Sequence, residues 1–484
     1  MASRYDLYEI VVGMEVHAQL QTRSKLFCGD SVSFGDEPNT NVSPITLAHP
    51  GTLPKMNKKA IEFAIKMGLA CHAAIEKDNY FARKNYFYPD LPKGYQVSQH
   101  TTPICKGGYV KIKTNSGEKQ VRLNRIHLEE DAGKSLHDVD AYNTAVDYNR
   151  AGTPLIEIVS EPDIRSAEEA YQYLSEIRKI VRYLDICDGN MEEGSLRCDA
   201  NISVRKKGET KLGTKVEVKN LNSIRNVKKA IEYEAKRMID LLEDGVSIQQ
   251  QTRSFDADKG ITFATREKED ADDYRYFPEP DLTPFHLDDS FIQKISDALP
   301  ALQEERIQRY ITEFGLTEYD AAVLTDERSV ADYFEQVVRH TKNYKAAANW
   351  LSGPVKSWLN DNHAAIGDIS ITPAQLAVMI GMVDEGKLSF TAASSRLFPA
   401  LLRNSGSEPE SLAASLNLFQ ESDASAISEL VEQVLQKHVE KVKEYKKGKK
   451  GLVSLFVGEV MKLSKGKADP RLTNELIIEK LKSS

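Results

Sequence analysis

The sequence predicts an α+β protein, because strand-like and helical patterns follow one another in separate regions of the chain. Up to about residue 290, strand-like alternation and turn residues dominate, and helical periods dominate beyond it. Gly, Ser, Pro and Glu gather at residues 401–415, as they do in linkers. We therefore predict a mixed or antiparallel sheet domain at 1–292, an all-helical domain at 293–406 and a small helical tail domain at 407–484.

Composition and charge exclude several classes of protein. Hydrophobic residues make up 41% and charged residues 28% of the 484-residue chain, which is typical of a globular protein. Because the chain has neither a run of roughly 18 apolar residues nor a signal-like N-terminus, we expect no membrane association and a cytoplasmic location. Five cysteines without a CxxC pair indicate reduced thiols. The net charge of -8 excludes nucleic-acid binding through bulk positive charge, but not through a local basic patch.

The first predicted strand, EIVVGMEVHAQL, alternates polar and apolar side chains. Alternation places Glu15, His17 and Gln19 on one face of the strand and the apolar residues on the other. Glu15 and His17 can therefore both reach one cation. A solvent-exposed sheet face explains this pair equally well.

A second predicted strand, TPLIEIVSEPD, carries a carboxylate in an apolar run. Glu157 there needs a cation, a metal or a proton, because an unpaired buried carboxylate costs several kcal/mol. The segment RIHLEEDAGKS adds His127, Glu129, Glu130 and Asp131. Strict alternation groups His127 with Glu129, but strand ends twist, so either glutamate remains a candidate. Carboxylates with one histidine suit Mg²⁺ or Mn²⁺ better than zinc.

Two further predicted strands have one polar face each. SLRCDANISVR presents Arg197, Asp199 and Asn201, and TKVEVKNLNS presents Glu217 and Lys219. The wet face of an antiparallel sheet is the ordinary explanation for such a pattern. Cationic side chains beside carboxylates can also clamp a nucleotide phosphate together with its metal.

Familiar nucleotide and nucleophile motifs do not occur in the sequence. The AGKS of residues 132–135 lacks the upstream glycine of a P-loop, and no GxGxxG or GxSxG pattern is present. If the protein uses ATP, a different kind of site holds it.

Two stretches combine basic and aromatic side chains. These are FARKNYFYPDLPKGYQVSQ at residues 81–99 and DDYRYFPEPD at residues 272–281. Such a combination can bind the end of a nucleotide chain, although Tyr and Pro also line ordinary loops.

The tail domain has a local excess of lysine. Between Lys437 and Lys467 there are ten lysines and three glutamates. The segment can track a phosphate backbone, but a solvated helix face is the commoner explanation of a lysine run. Asp469 and Pro470 predict the start of a helix, with Asp as the cap and Pro at the first position.

Taken together, these segments resemble the B subunits of bacterial aspartyl/glutamyl-tRNA amidotransferases, the GatB family. The resemblance rests on seven motifs in one order: YEIVVGMEVHAQL, RKNYFYPDLPKGYQVSQ, LEEDAGKS, RAGTPLIEIVSEPDI, MEEGSLRCDANISVR, KVEVKNLNS and DDYRYFPEPDL. It continues into the tail, which is similar to the family's RNA-binding terminal domain.

The resemblance implies an ATP-dependent ligase subunit that acts on Glu-tRNA(Gln), Asp-tRNA(Asn) or both. In this family the side-chain carboxylate is phosphorylated from ATP and then converted to an amide by ammonia. The implied partners are a GatA-like glutaminase subunit, which supplies the ammonia through a tunnel, and a GatC-like small subunit, which together form a heterotrimer.

The resemblance also implies roles for particular residues. Glu15 and His17 look like metal ligands of the family's cradle-shaped catalytic domain, and Glu157 with Glu129 or Glu130 looks like the carboxylates that complete a Mg²⁺ site. The catalytic candidates that follow are Glu15, His17, Glu130, Glu157 and Lys134. The secondary candidates for contact with ATP or the aminoacylated end are Lys134, Arg197, Asp199, Asn201, Glu217 and Lys219.

One departure from the family concerns zinc. Many members carry four cysteines near the N-terminus in FCxC and CPVC-like pairs, whereas this chain keeps Cys28 alone. Because a lone cysteine cannot build that site, we predict that the chain holds no zinc.

Two other functions compete with the ligase subunit. A non-catalytic tRNA-binding scaffold would explain the basic tail but would have no use for a metal site in the body. A stand-alone kinase or ligase of a small metabolite would leave the lysine-rich tail unexplained.

Overall fold

A computed structural model describes residues 4–267, 274–420, 424–464 and 468–483. The chain forms two compact units that divide after Leu302, ten residues beyond the predicted end of the sheet domain. The first unit is built on a large sheet and the second is helical, which confirms the predicted α+β class.

The described part of the first unit contains seventeen strands. They are β1 (Tyr8–Gln19), β2 (Ala74–Ile75), β3 (Asp78–Asn79), β4 (Ala82–Asn85), β5 (Tyr95–Ser98), β6 (Cys105–Lys106), β7 (Tyr109–Thr114), β8 (Gly117–Glu130), β9 (Lys134–Leu136), β10 (Ala145–Asp147), β11 (Pro154–Ser160), β12 (Leu196–Lys206), β13 (Val216–Lys219), β14 (Gln251–Asp256), β15 (Ile261–Glu267), β16 (Phe277–Pro278) and β17 (Phe285–His286).

Thirteen of these strands form one sheet in the order β15-β14-β13-β12-β1-β11-β8-β5-β4-β16. Beside this path, β6 and β7 pair with β8, and β2 pairs with β6. Neighbouring strands along this order run antiparallel, apart from β13 and β14, which run parallel. The strand β1 therefore lies at the centre of the sheet, between β12 and β11. Two small sheets, β9–β10 and β3–β17, stand apart from it.

The described residues form seventeen α-helices. They are α1 (Lys58–Ala70), α2 (Ala167–Tyr183), α3 (Ile224–Glu243), α4 (Asp289–Asp297), α5 (Gln303–Phe314), α6 (Glu318–Leu324), α7 (Arg328–Val337), α8 (Tyr344–Trp350), α9 (Lys356–Asp361), α10 (Pro373–Asp384), α11 (Phe390–Ala392), α12 (Phe398–Arg403), α13 (Pro409–Ser415), α14 (Ala424–Lys437), α15 (Val439–Lys446), α16 (Val453–Leu463) and α17 (Pro470–Ser483). Among the described residues, none of the helices is both long and apolar enough to cross a bilayer.

Helices α1, α2 and α3 cover the apolar face of the large sheet. The hydroxyls of Ser166 and Ser223 cap α2 and α3 by accepting hydrogen bonds from backbone N–H groups one turn on. The apolar stripes of these helices pack on the alternate residues Val16, Ile156 and Ile202, which are fully buried. Because alternation commits these side chains to the core, the intervening residues of the same strands emerge on the opposite face.

The helical unit contains two separate hydrophobic cores. One extends from Tyr310 to Leu418 and the other from Ile427 to Leu481. The predicted division at 406/407 falls inside the first of them, because Pro409 begins helix α13 and Ala413 packs in that core. Pro and Gly mark the ends of helices as well as linkers, which is why composition alone placed the division too early.

The predicted start of the last helix is confirmed. The Asp469 carboxylate accepts hydrogen bonds from the backbone N–H groups of Arg471 (2.7 Å) and Leu472 (3.1 Å), and Pro470 is the first residue of α17. Two lysines of the preceding run, at 465 and 467, lie outside the described residues, as do the first two residues of the 272–281 stretch.

Candidate active site

One face of the large sheet is polar across its central strands. The predicted alternation of β1 is confirmed: Met14, Val16 and Ala18 are buried in the core, and Glu15 and His17 are half-buried on the other face. The strands β11 and β8 on one side, and β12 and β13 on the other, add their own polar residues to this face. Two acidic clusters result, one on each side of β1.

The histidine–carboxylate cluster consists of His17, His127, Glu129 and Glu157. Strand register builds it, because Glu157 on β11 pairs directly with His17 on β1 and with His127 on β8. The His127 Nε2 atom lies 3.2 Å from Glu157 Oε2 and 3.5 Å from Glu129 Oε2. The His17 Nε2 atom lies 3.6 Å from Glu157 and 3.7 Å from Glu129. Ser98 on β5 donates a 3.2 Å hydrogen bond to Glu129.

Charges in this cluster compensate one another. Burial opposes ionisation of Glu157, but His127 and His17 overcome it and hold the pKa of this carboxyl well below its usual range. Burial likewise opposes a charge on His127, yet the carboxylates of Glu157 and Glu129 raise its pKa to about 9. The predicted need of Glu157 for a positive partner is thus met by two imidazoles.

This cluster also fits a divalent cation. His17, Glu129 and Glu157 each place one ligand atom within 4.8 Å of the other two. The Nδ1 atom of His127 is buried and has no hydrogen-bond partner within the described part of the chain. If His127 is protonated, its Nδ1–H is a buried donor without an acceptor, which costs free energy. A divalent cation between the carboxylates would replace this positive charge and allow His127 to be neutral. Two carboxylates with an imidazole are ligands that suit Mg²⁺ or Mn²⁺.

The two glutamates that the sequence left open lie on opposite faces. Glu129 belongs to the histidine–carboxylate cluster, whereas Glu130 is buried on the other side of β8. Glu130 forms an ion pair with Lys93 and accepts a 2.8 Å hydrogen bond from the backbone N–H of Val97. This geometry contradicts the interpretation of Glu130 as a catalytic or metal-ligating residue, because alternation holds its carboxylate away from the cluster.

The lysine–carboxylate cluster consists of Glu15, Asp199, Glu217 and Lys219. Asp199 on β12 pairs with Glu15 on β1, and the three carboxylates come within 4.8 Å of one another. The Lys219 Nζ atom lies 2.7 Å from Asp199 and 3.3 Å from Glu217. Burial and the neighbouring carboxylates raise the pKa of Glu15. Partial desolvation of the half-exposed Lys219 side chain opposes its charge, but Asp199 and Glu217 outweigh it and raise the pKa of Lys219. The ammonium of Lys219 therefore occupies the position of the cation in this cluster.

Polar neighbours orient the lysine–carboxylate cluster. Asn201 donates a 2.9 Å hydrogen bond to Glu15, and the Thr252 hydroxyl donates one of 2.8 Å to Glu217. Glu15, which the sequence grouped with His17, thus lies with the residues predicted to contact ATP. The sequence did not single out Thr252, because it comes from β14, which runs parallel to its neighbour β13.

A third group lies beside His17 on the same face. Arg197 on β12 pairs with His17 and donates a 2.8 Å hydrogen bond to Asp131, which also accepts one of 2.6 Å from Gln19. Burial opposes ionisation of Asp131, but Arg197 and Arg150 outweigh it and lower its pKa. Arg150 lies in a loop without alternation, so no pattern in the sequence pointed to it.

Lys134 is not brought to either cluster by its strand. It is exposed on β9, in the small β9–β10 sheet, where it pairs with Asp147. Its predicted catalytic role stays a prediction without support from the position of its strand.

Between residues 25 and 46, where many family members have their cysteine pairs, this chain has a network of hydrogen bonds. Asp30 accepts hydrogen bonds from the Thr46 hydroxyl and from the backbone N–H of Ser43. Cys28 Sγ and the buried ammonium of Lys25 each lie 3.4 Å from Thr46 Oγ1. One thiol beside an ammonium does not fit a tetrahedral zinc site, and the absence of zinc stays a prediction.

Comparison with known proteins gives matches along nearly the whole chain. The family described as the GatB/GatE catalytic domain matches residues 10–293, and the GatB domain matches residues 332–481. The first match contains every residue of both clusters. The second contains the lysine-rich segment.

Several similar proteins are named as the B subunit of aspartyl/glutamyl-tRNA(Asn/Gln) amidotransferase. Those of Thermodesulfovibrio yellowstonii, Trichlorobacter lovleyi and Bdellovibrio bacteriovorus are 48%, 50% and 50% identical to this chain. Each alignment covers 98% of this chain and 99% of the relative.

Proposed function

The chain belongs to the GatB/GatE family, and from that membership we propose that it is the carboxylate-activating subunit of a tRNA-dependent amidotransferase. Its substrates are ATP and a tRNA misacylated with glutamate, aspartate or either. It works in the cytoplasm with a GatA-like glutaminase subunit and a GatC-like small subunit. The product is a tRNA that carries glutamine or asparagine.

The reaction needs activation because a carboxylate has no leaving group that ammonia can displace. The γ-phosphoryl group of ATP moves to an oxygen of the side-chain carboxylate, and ADP leaves. Ammonia then attacks the acyl carbon and forms the C–N bond. The bond between the acyl carbon and the phosphate oxygen breaks, inorganic phosphate leaves, and a proton is lost to give the amide. The ammonia comes from the glutaminase subunit, which agrees with the lack of a GxSxG nucleophile motif in this sequence.

The two acidic clusters divide the work in this proposal. His17, Glu129 and Glu157 would hold Mg²⁺, a cation that neutralises phosphate charge during phosphoryl transfer. Lys219 and Arg197 lie on the β12–β13 side and provide fixed positive charge for the phosphates of ATP. Asp199 and Glu217 hold Lys219 in place in the absence of nucleotide, and Glu15 lies beside these two carboxylates.

The observation that carries the proposal is the histidine–carboxylate cluster on the polar sheet face of a chain in this family. A scaffold that only positions RNA does not need two carboxylates set against two imidazoles. The alternative function, a non-catalytic tRNA-binding scaffold, accounts for the tail alone.

ADP release by the complex of this chain with its two partner subunits tests the proposal. The assay contains Mg²⁺ and glutamine, with misacylated Glu-tRNA(Gln), uncharged tRNA or no tRNA. We expect ADP only with the misacylated tRNA, and a product that carries glutamine. Tight tRNA binding without ATP turnover under any of these conditions would support the scaffold instead.

The tail would hold the body of the tRNA through its lysines. The run from Lys446 to Lys450 is exposed, and Lys450 lies over the ring of Tyr445 at 4.3 Å. Each phosphate contact adds about one unit to the slope of log affinity against log salt concentration.

Charge-neutral variants of the full-length chain test the role of the tail. Replacing Lys446, Lys447, Lys449 and Lys450 by Gln should weaken tRNA binding and reduce the salt slope, while glutamine hydrolysis by the complex stays unchanged. A control variant carries four exposed lysine-to-glutamine changes elsewhere, at Lys294, Lys342, Lys356 and Lys387. Equal salt slopes in the two variants would contradict the assignment.

A further inference from the structure

A group of aromatic rings lies at the β5–β4–β16 edge of the large sheet. This aromatic platform consists of Tyr86, His100, Tyr274 and Tyr276, with Lys84 beside them. The rings of His100 and Tyr276 are stacked, with centroids 3.9 Å apart and planes inclined by 7°. The Lys84 ammonium lies 4.8 Å from the Tyr274 ring centroid. Tyr86 and Tyr276 each lie about 6 Å from Tyr274, in edge contacts.

The platform is on the same face of the sheet as the two acidic clusters. Ser98 on β5 pairs with Glu129 on β8, and Lys84 on β4 pairs with Gln96, two residues before Ser98. Alternation therefore puts Lys84 on the face of Glu129. Phe277 pairs with Arg83, so both side chains lie on the face opposite to Lys84. Tyr276, the neighbour of Phe277, therefore lies on the same face as Lys84 and Glu129.

The platform also lies close to the histidine–carboxylate cluster. Burial, followed by the charge of Glu129, raises the pKa of Tyr276 to about 12, and the same two causes raise the pKa of Tyr86. The Tyr86 hydroxyl donates a 3.3 Å hydrogen bond to Gln96, whose amide in turn donates to the backbone of Glu130. Tyr86 is thus connected through Gln96 to the strand that carries Glu129.

We propose that the aromatic platform stacks the base of the 3′-terminal nucleotide of the misacylated tRNA and so presents the esterified amino acid to the histidine–carboxylate cluster. The proposal rests on the proposed function and names the subsite for its RNA substrate. Flat rings with a neighbouring cation are how proteins hold single-stranded nucleotide ends.

The layout of the face favours the tRNA end over the adenine of ATP. Lys219 and Arg197, the cations suited to the phosphates of ATP, lie on the β12–β13 side of the cluster, and the platform lies on the β4–β5 side. In phosphoryl transfer the donor and the acceptor oxygens lie roughly in line across the moving group. The acceptor therefore arrives from the side opposite to ATP, where the platform is.

Kinetics of the three-subunit complex test the platform. Tyr276→Ala should raise the KM for misacylated tRNA roughly tenfold, the loss typical of one base–aromatic stack, and leave the KM for ATP within twofold. Tyr276→Phe keeps the ring and should behave as the wild type. Phe277→Ala is the matched control, because it removes the next aromatic ring on the opposite face. An increase in the KM for ATP, or an unchanged KM for tRNA, overturns the proposal.

Binding to a tRNA that lacks its terminal nucleotide separates this proposal from the proposed function. The wild-type complex should lose affinity roughly tenfold when that nucleotide is removed, whereas Tyr276→Ala should bind the two tRNAs equally. This readout needs no ATP turnover. If the wild type turned over no ATP but the Tyr276→Ala result held, the proposed function would fail and the platform would stand. Equal losses of affinity in the two proteins would overturn the platform whatever the activity.

Discussion

The two acidic clusters on either side of β1 differ in the positive groups that face their carboxylates. In the histidine–carboxylate cluster, His17 and His127 provide the positive charge. In the lysine–carboxylate cluster, Lys219 provides it. When a metal ion binds between the carboxylates, an imidazole can lose its proton and become neutral. The Lys219 ammonium, which is paired with Asp199 and Glu217, keeps its charge.

This difference indicates which cluster suits which part of the proposed reaction. A cluster neutralised by histidines can exchange protons for a divalent cation without a change of fold. A cluster that contains a fixed lysine is ready to bind the negative phosphates of a nucleotide. Mutations that remove one charge from each cluster should therefore have effects of different kinds.

The largest effect is expected from Glu157→Gln. A neutral amide is a poor ligand of Mg²⁺, and metal stabilisation of the transition state is worth several kcal/mol, so ADP formation should fall about a thousandfold. Binding of misacylated tRNA should stay within a few fold of the wild type. ADP release and filter binding on the same preparation measure both quantities, and a comparable loss of tRNA affinity would mean that Glu157 supports the fold rather than the chemistry.

The neighbouring pair Glu129 and Glu130 should separate activity from stability. Glu130→Gln leaves the Lys93 ammonium without its partner and should lower the free energy of unfolding by about 3 kcal/mol. Glu129→Gln still leaves Glu157 to balance the two imidazoles, so it should lower the free energy of unfolding less than Glu130→Gln does, and it should reduce ADP formation. Urea unfolding and the ADP assay on both variants distinguish these effects. If Glu130→Gln lost activity and Glu129→Gln lost stability instead, Glu130 rather than Glu129 would belong to the cluster.

A smaller effect is expected from Lys219→Met. Losing one charge-assisted contact to the phosphates should raise the KM for ATP about tenfold. Metal binding by the histidine–carboxylate cluster in the absence of ATP should not change. A Lys219→Met chain that loses metal binding as well would show that the two clusters act as one site.

The sequence predicted the faces of single strands better than the neighbours of each strand. Alternation placed Glu15 and His17 together, and it also grouped Glu129 with His127, although the twist of a strand end kept Glu130 in consideration. It could not show that Glu157 lies between His17 and His127, because that depends on which strands pair and in which register. Nor could it separate Glu15 from His17, since the carboxylates near Glu15 come from β12 and β13, whereas those near His17 come from β8 and β11.

Residues outside regular alternation were the hardest to foresee. Arg150 in its loop and Thr252 on the parallel strand β14 carry no local pattern that marks them. The division of the helical unit was misplaced for a related reason, since Pro409 starts a helix within the core that ends near Leu418.

Manganese binding to the full-length chain without nucleotide decides whether the histidine–carboxylate cluster is the metal site. Electron paramagnetic resonance of Mn²⁺ can compare the wild type with Glu157→Gln and Glu15→Gln, one carboxylate from each cluster. We predict one tight Mn²⁺ site in the wild type and in Glu15→Gln, and its loss in Glu157→Gln. Retention of the site in Glu157→Gln together with its loss in Glu15→Gln would contradict this assignment and place the metal in the lysine–carboxylate cluster.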